Sequence, residues 1–303
     1  MLRRKAIRKI FVTTLSLFII LCICTITNCF NNNTLKVNLE LDDITSLTNH
    51  SVYLLNDNGY LVKKKIFIDS NNYEEKVRKI LSYLTINNNS KYSNNLFGVI
   101  PSSCRVLNIL YDEEYLTINF SSSFKDIPNM DKAITSIVYS IFDLGNIKGI
   151  TILVEDDYLP GYPKIIDKSI DINKEYFITS KDNINKVVIY YLYDDNSDKY
   201  YVPVTRYLND SRDKINIIVD EMKSSTTYDY VSLVNSNVKL LDSRLDGDTF
   251  ILNFNNYLFD SNDEVLEEVL YCLSYSVFDN YDVDMVMIEN EGKNVSNISR
   301  NSI

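Results

Sequence analysis

A chain of 303 residues with 45% hydrophobic and 24% charged side chains is too apolar for disorder and long enough for two ordinary domains. Its net charge of −10 disfavours nucleic acid and anionic lipid headgroups as partners, because like charge repels both. The basic residues Arg3, Arg4, Lys5, Arg8 and Lys9 are the exception, and they belong to the N-terminus alone.

That basic start is followed by the uncharged, mostly apolar run Ile10–Ile26 and then Thr27-Asn28-Cys29, which is export-signal architecture. Residues 1–29 are read as a signal with a lipobox-like end, in which the Cys29 thiol takes a diacylglycerol and tethers the chain to the membrane. Asn28 departs from the small residue usual before that cysteine. An uncleaved anchor and a freely secreted product are the alternatives, the apolar run being at the short end of what spans a bilayer.

Residues 30–49 read as a linker, and His50, the only histidine, as a solvated residue beside it. A first domain is predicted over 50–168. It opens with strands at Val52–Leu55 and Tyr60–Val62, then a short helix whose apolar positions are Val77, Ile80, Leu81 and Leu84. A hairpin follows, Val106–Tyr111 and Tyr115–Phe120 around Asp112-Glu113-Glu114. Met130, Ala133, Ile134, Ile137, Val138, Ile141 and Phe142 then recur at helical spacing and predict a longer amphipathic helix. A last strand runs Ile147–Val154.

After a linker at 169–184, a second domain over 185–292 repeats this order. Strands at Ile189–Leu192 and Tyr200–Val202 precede a helix with Ile215, Ile218, Val219 and Met222. The hairpin Val238–Arg244 and Thr249–Phe254 turns through Asp246-Gly247. A helix stripe runs from Leu266 to Phe278, and a strand covers Val283–Ile288. Tyr139, Ser140, Phe142 and Asp143 recur as Tyr275, Ser276, Phe278 and Asp279, each 136 residues on, so the chain holds two copies of one unit. Residues 293–303 read as a polar tail. The fold class is therefore α+β, two tandem β-α-β-β-α-β-type domains, each with two helices packed on one face of a mostly antiparallel or mixed sheet.

The search for chemistry excludes more than it finds. His50 lacks a counterpart in the second copy. HExxH, GxxxxGK[ST] and GxGxxG are all missing, so neither a metal nor a nucleotide cofactor is expected. Asp194-Asp195-Asn196-Ser197-Asp198-Lys199 has acidic spacing but lacks the glycine and the final glutamate of a calcium loop, and reads as a polar turn. Asp143 and Asp279 each follow a core phenylalanine at the end of a long helix, where a capping or turn role is expected. Cys104 and Cys272 do not match across the repeat and read as two free thiols, with a disulfide as the alternative. Tyr191, Tyr193 and Tyr201 lie on strand segments and are candidate partner contacts; the alternative is ordinary half-buried sheet tyrosines.

The combination of an export signal, two tandem units, a Tyr60-Leu61-Val62 hairpin, an Ile100-Pro101 lead into Val106-Leu107, an I-N-F-S-x-x-F stretch at Ile118–Phe124 and a Y-S-x-F helix resembles the GerM family of sporulation and spore-germination lipoproteins, built from two GerMN domains. The resemblance covers roughly Ser51 to Gly292. The second copy departs from it at Leu233-Val234 and Asn255-Asn256. It implies an α/β domain similar to the ring-building motifs of secretion systems. It also implies a non-enzymatic scaffold or assembly factor on the outer face of the cell membrane, working through proteins of the sporulation envelope machinery between mother cell and forespore. A cell-wall-active or glycan-binding lipoprotein, in contact with peptidoglycan, is the alternative function.

Overall fold

The structure, a computed structural model, describes residues 47–86, 95–194, 199–223 and 230–302. The export signal, Cys29 and Asp195–Asp198 of the acidic string lie outside them.

The first copy starts with a long hairpin, β1 (Leu47–Asn56) and β2 (Leu61–Asp69), paired antiparallel from Leu47–Asp69 to Leu55–Leu61. Its turn closes through Gly59, whose φ of +78° suits glycine, while Asn56 Oδ1 accepts the Tyr60 N–H at 2.8 Å. Helix α1 (Tyr73–Tyr83) is capped by Asn72, which accepts the Glu75 N–H at 3.2 Å. Short β3 (Leu96–Phe97) returns to β1. Then come β4 (Val106–Asp112), β5 (Tyr115–Phe120), a 3-10 turn at Ser122–Asp126, α2 (Met130–Phe142), β6 (Gly149–Val154) and β7 (Asp157–Tyr158). Strands β5 and β6 are parallel, so a crossover is obligatory, and α2 is that crossover.

The second copy repeats the plan with β9 (Ile184–Asp194), β10 (Lys199–Asn209), α3 (Lys214–Lys223), β11 (Tyr230–Val231), β12 (Leu240–Asp246), β13 (Thr249–Phe254), α4 (Glu267–Asn280) and β14 (Met285–Asn290). Again β13 and β14 are parallel and bridged by the long helix. The stripe residues Ala133, Ile134, Ile137, Val138 and Ile141 are buried, as are Val269, Leu273, Val277 and Phe278. Met130, Phe142 and Leu270 are half-buried, and Leu266, at the N-cap of α4, is exposed.

Each copy divides its strands between two sheets. One is its own four-stranded sheet, β4-β5-β6-β7 or β12-β13-β14 with one further strand. The other is shared. The hairpins β1–β2 and β9–β10 meet edge to edge where Tyr201 lies opposite Lys63, which makes one seven-stranded sheet with the order β11-β9-β10-β2-β1-β3 and a side strand on β10.

Three segments are more ordered than the sequence suggests. The side strand is β8 (Glu175–Phe177), parallel to β10 and inside the expected linker. The expected polar tail forms β15 (Lys293–Ser299), antiparallel to β14, and a closing 3-10 turn at Arg300–Ser302. His50 is a buried residue of β1, with Nε2 2.8 Å from Thr48 Oγ1. Polar segments at sheet edges escape sequence detection because they bury little: β15 buries only Ile298, which leaves no apolar alternation to read.

Candidate functional site at the junction of the two copies

Strand β1 pairs with β2 along one side and with β3 only at Leu55 and Asn56 on the other. The remaining backbone groups on that side need partners, and α2 supplies them from side chains. Ser136 Oγ donates to Tyr53 O at 2.5 Å, Ser140 Oγ accepts the Tyr53 N–H at 2.9 Å, and Asp143 Oδ2 accepts the Ser51 N–H at 2.6 Å. Positions 136, 140 and 143 fall on one helix face, so α2 acts as a substitute strand. In the second copy Ser276 Oγ accepts the Tyr190 N–H at 2.9 Å, while the Asn280 amide accepts from Val188 N at 3.1 Å and donates to Val188 O at 2.6 Å. The recurring serine is thus a helix-to-strand connector.

The recurring tyrosine and aspartate point toward the other copy. Lys63 Nζ lies 3.1 Å from Asp143 Oδ1 and 3.9 Å from the centre of the Tyr275 ring. Lys168 Nζ is bonded to Asp279 and lies 5.2 Å from the Tyr139 ring. Each lysine therefore joins the aspartate of one copy to the tyrosine of the other. Between them, Tyr53 and Tyr190 touch hydroxyl to hydroxyl at 3.1 Å, and Tyr190 OH donates to Asp279 Oδ2 at 2.8 Å. Burial raises the phenols of Tyr53, Tyr139 and Tyr190 well above their ordinary value. Burial also lowers the Lys63 ammonium, an effect that Asp143 opposes. A cleft of about 200 Å³ opens here, bordered by His50, Lys63, Asp143, Lys168 and Asp279. Both carboxylates are engaged by an ammonium and a second donor, so the arrangement works as a set of structural ion pairs. Among the described residues no group of three His, Cys, Asp or Glu side chains is placed to hold a metal.

A second duplicated feature lies on the outer edges. Strand β4 bulges between Val106 and Asn108, and β12 bulges at the equivalent step between Leu240 and Asp242. The extra residue is a leucine both times, Leu107 and Leu241, 44% and 52% exposed. Four residues on, Tyr111 and Leu245 are exposed as well.

Of the residues singled out from sequence, Cys29 lies outside the described residues. Tyr191 is interior: it is 1% exposed, donates to Glu221 Oε2 at 3.1 Å and stacks on Tyr230 at 4.6 Å, which removes it from any contact surface. Tyr193 and Tyr201 are half-buried, Tyr201 lying edge-on to Tyr271 and Tyr275. Asp143 caps α2, whereas Asp279 lies within α4. Cys104 and Cys272 are free, the latter buried. Lys63 and Lys168 were not legible as site residues, because Lys63 sits in a Lys63-Lys64-Lys65 run that resembles a solvated face.

The family model described as "Germane: Sporulation and spore germination" matches residues 51–159 and 188–296, one match per copy. The chain is 22% identical over 274 residues to the spore germination protein GerM of Bacillus subtilis (strain 168), covering 84% of this chain and 74% of that protein. Its fold is similar to the solved tandem GerMN domains of the sporulation protein GerM from Bacillus subtilis, with a TM-score of 0.72 at 21% identity, over 84% of this chain and 97% of that one.

Proposed function

The chain belongs to the Germane family of sporulation and spore germination proteins, and from that footing we propose that it works there as a scaffold or assembly factor, binding protein partners of the envelope through the edges of β4 and β12. The Cys29 lipid would hold it on the outer face of the membrane, and the role makes no use of catalysis. The observation that carries this reading is the pair of equivalent bulged edges, each with a leucine displayed at the bulge. An edge strand offers unpaired N–H and C=O groups to an incoming chain. A bulge twists that edge and limits unselective sheet growth, while the displayed leucine supplies an apolar anchor. Asp112 and Glu113 flank one edge and Asp246 and Asp248 the other, while Glu114 and Asp242 are paired with Lys148 and Arg244, so a partner surface with basic residues is favoured. Two edges on one body held by the lysine-bridged junction give bivalent binding, which raises avidity by roughly 10²–10⁴ over one contact.

The test is the double variant Leu107→Lys and Leu241→Lys in sporulating cells. The expected result is a stable exported protein, loss of the proteins that co-purify with wild type, and fewer heat-resistant or germinating spores; each single variant falls in between. Unchanged co-purification together with normal spores would overturn the proposal.

A further inference from the structure

A cavity of about 510 Å³ lies away from the junction cleft, within the size range of small-molecule sites. Three segments build it: the β1–β2 turn with Tyr60, the first turn of α2 with Asp131 and Lys132, and the connection between the copies with Tyr162, Asn173 and Glu175. Among the described residues, the second copy places no lysine at the position equivalent to Lys132. Its residue equivalent to Lys132 is Glu268, paired with Lys199 on the surface. The cavity is therefore not a by-product of the repeated fold.

Its charges are unevenly satisfied. Asp131 accepts the Tyr162 hydroxyl, Asp171 binds Lys174 and Lys186, and Glu175 binds Arg206. Lys132 is half-buried and has an amide oxygen, Asn173 Oδ1, at 2.8 Å; among the described residues it joins no ion pair. Burial pushes its ammonium below the ordinary lysine value. A half-buried cation without an anion is the group a ligand would complete. The wall that holds it is preorganised. Asn173, at φ +45°, accepts the Leu61 N–H at 2.8 Å and donates to Leu61 O and Pro203 O at 2.7 Å each, fastening the connection to β2 and β10.

We propose that this cavity binds a small sugar acid, its carboxylate on Lys132, its hydroxyls on the acceptors Asp131 and Glu175, and its ring against Tyr60 and Tyr162. A monoanion is favoured over phosphate because Asp131, Asp171 and Glu175 outnumber Lys132 and Lys174 in the wall. This site is independent of the partner edges on β4 and β12.

The experiment is calorimetric titration of the purified full-length protein with glucuronic acid and N-acetylmuramic acid, with N-acetylglucosamine as the neutral counterpart and inorganic phosphate as the competing anion. At least one acid should bind saturably, and the neutral sugar at least about tenfold more weakly. Lys132→Met should abolish binding and Lys132→Arg retain part of it. If Lys132→Met fails to fold, Tyr162→Ala carries the test and should weaken binding at least about fivefold. Absence of saturation by both acids, binding unchanged in either variant, or phosphate binding as tightly as the sugars would overturn the proposal.

Discussion

The hydroxyl of Ser140 accepts the backbone N–H of Tyr53 at 2.9 Å, and it does so from a helix that stands where a sheet would otherwise have its next strand. Both groups are buried, so removing the oxygen leaves a donor with nothing to bind. Ser140→Ala is expected to lower unfolding free energy by about 1–3 kcal/mol, with Ser276→Ala similar through Tyr190. Ser274 provides the internal control. Its hydroxyl is buried without a partner among the described residues, so Ser274→Ala should leave stability equal or higher. Urea titrations of the three variants decide the matter, and equal losses at all three positions would contradict it.

This contact also explains what was legible in the sequence. The repeated Tyr-Ser-x-Phe-Asp pattern was visible because each copy uses the serine for the same backbone N–H, and the helix stripes and hairpins around it follow their own periods. The shared sheet was not visible, since it depends on a single register pair, Tyr201 opposite Lys63, that leaves no periodic trace. Tyr191 was misplaced for a related reason. Val187–Leu192 is a continuous run with both faces covered, and such a run reads as apolar without saying which side chains are interior. Lys63 was hidden by its two lysine neighbours, although the three differ: Lys63 is buried and Lys65 is exposed.

The motif tyrosines separate the two copies. Tyr139 OH donates to Ile170 O at 3.3 Å, whereas Tyr275 OH is buried with no partner among the described residues. Tyr139→Phe should therefore cost about 0.5–1.5 kcal/mol, the net contribution of an ordinary hydrogen bond. Tyr275→Phe should raise the thermal midpoint or leave it unchanged, since the ring that faces Lys63 is retained. Thermal unfolding of the pair checks the contrast; a large loss for Tyr275→Phe would show a partner for its hydroxyl.

His50 gives the fold an acid sensitivity. Burial, with Lys76 on α1 adding to it and Asp143 partly opposing, holds the imidazole below its ordinary value of 6.5. The unfolded chain therefore binds this proton more readily than the folded one. The stability associated with neutral His50 is fully present above 6.5 and is lost as pH falls through the lower folded-state value. His50→Gln is expected to lose less stability than wild type between about pH 7 and pH 5. Denaturant titrations at both pH values check the difference, and identical pH slopes would remove His50 as its source.

Arg206 is a buried charge of the second copy. It is 1% exposed, with Nε 3.0 Å from Glu175 Oε2 and Nη1 bonded to Glu221, and the rings of Phe177 and Tyr191 stand 4.8 and 4.9 Å from its guanidinium carbon. Through Glu175 on β8 and Glu221 on α3, it ties the inter-copy connection and a helix to the centre of β10. Arg206→Met leaves two carboxylates close together without their cation, and about 3–5 kcal/mol of stability should disappear. The triple variant Arg206→Met, Glu175→Gln, Glu221→Gln removes the stranded charges along with the cation. It should recover most of that loss, because burying a neutral amide is far cheaper than burying an unpaired carboxylate. Urea unfolding of the single and triple variants measures this directly. A triple variant no more stable than the single one would mean that Arg206 acts through its stacking on Phe177 and Tyr191 rather than through its charge.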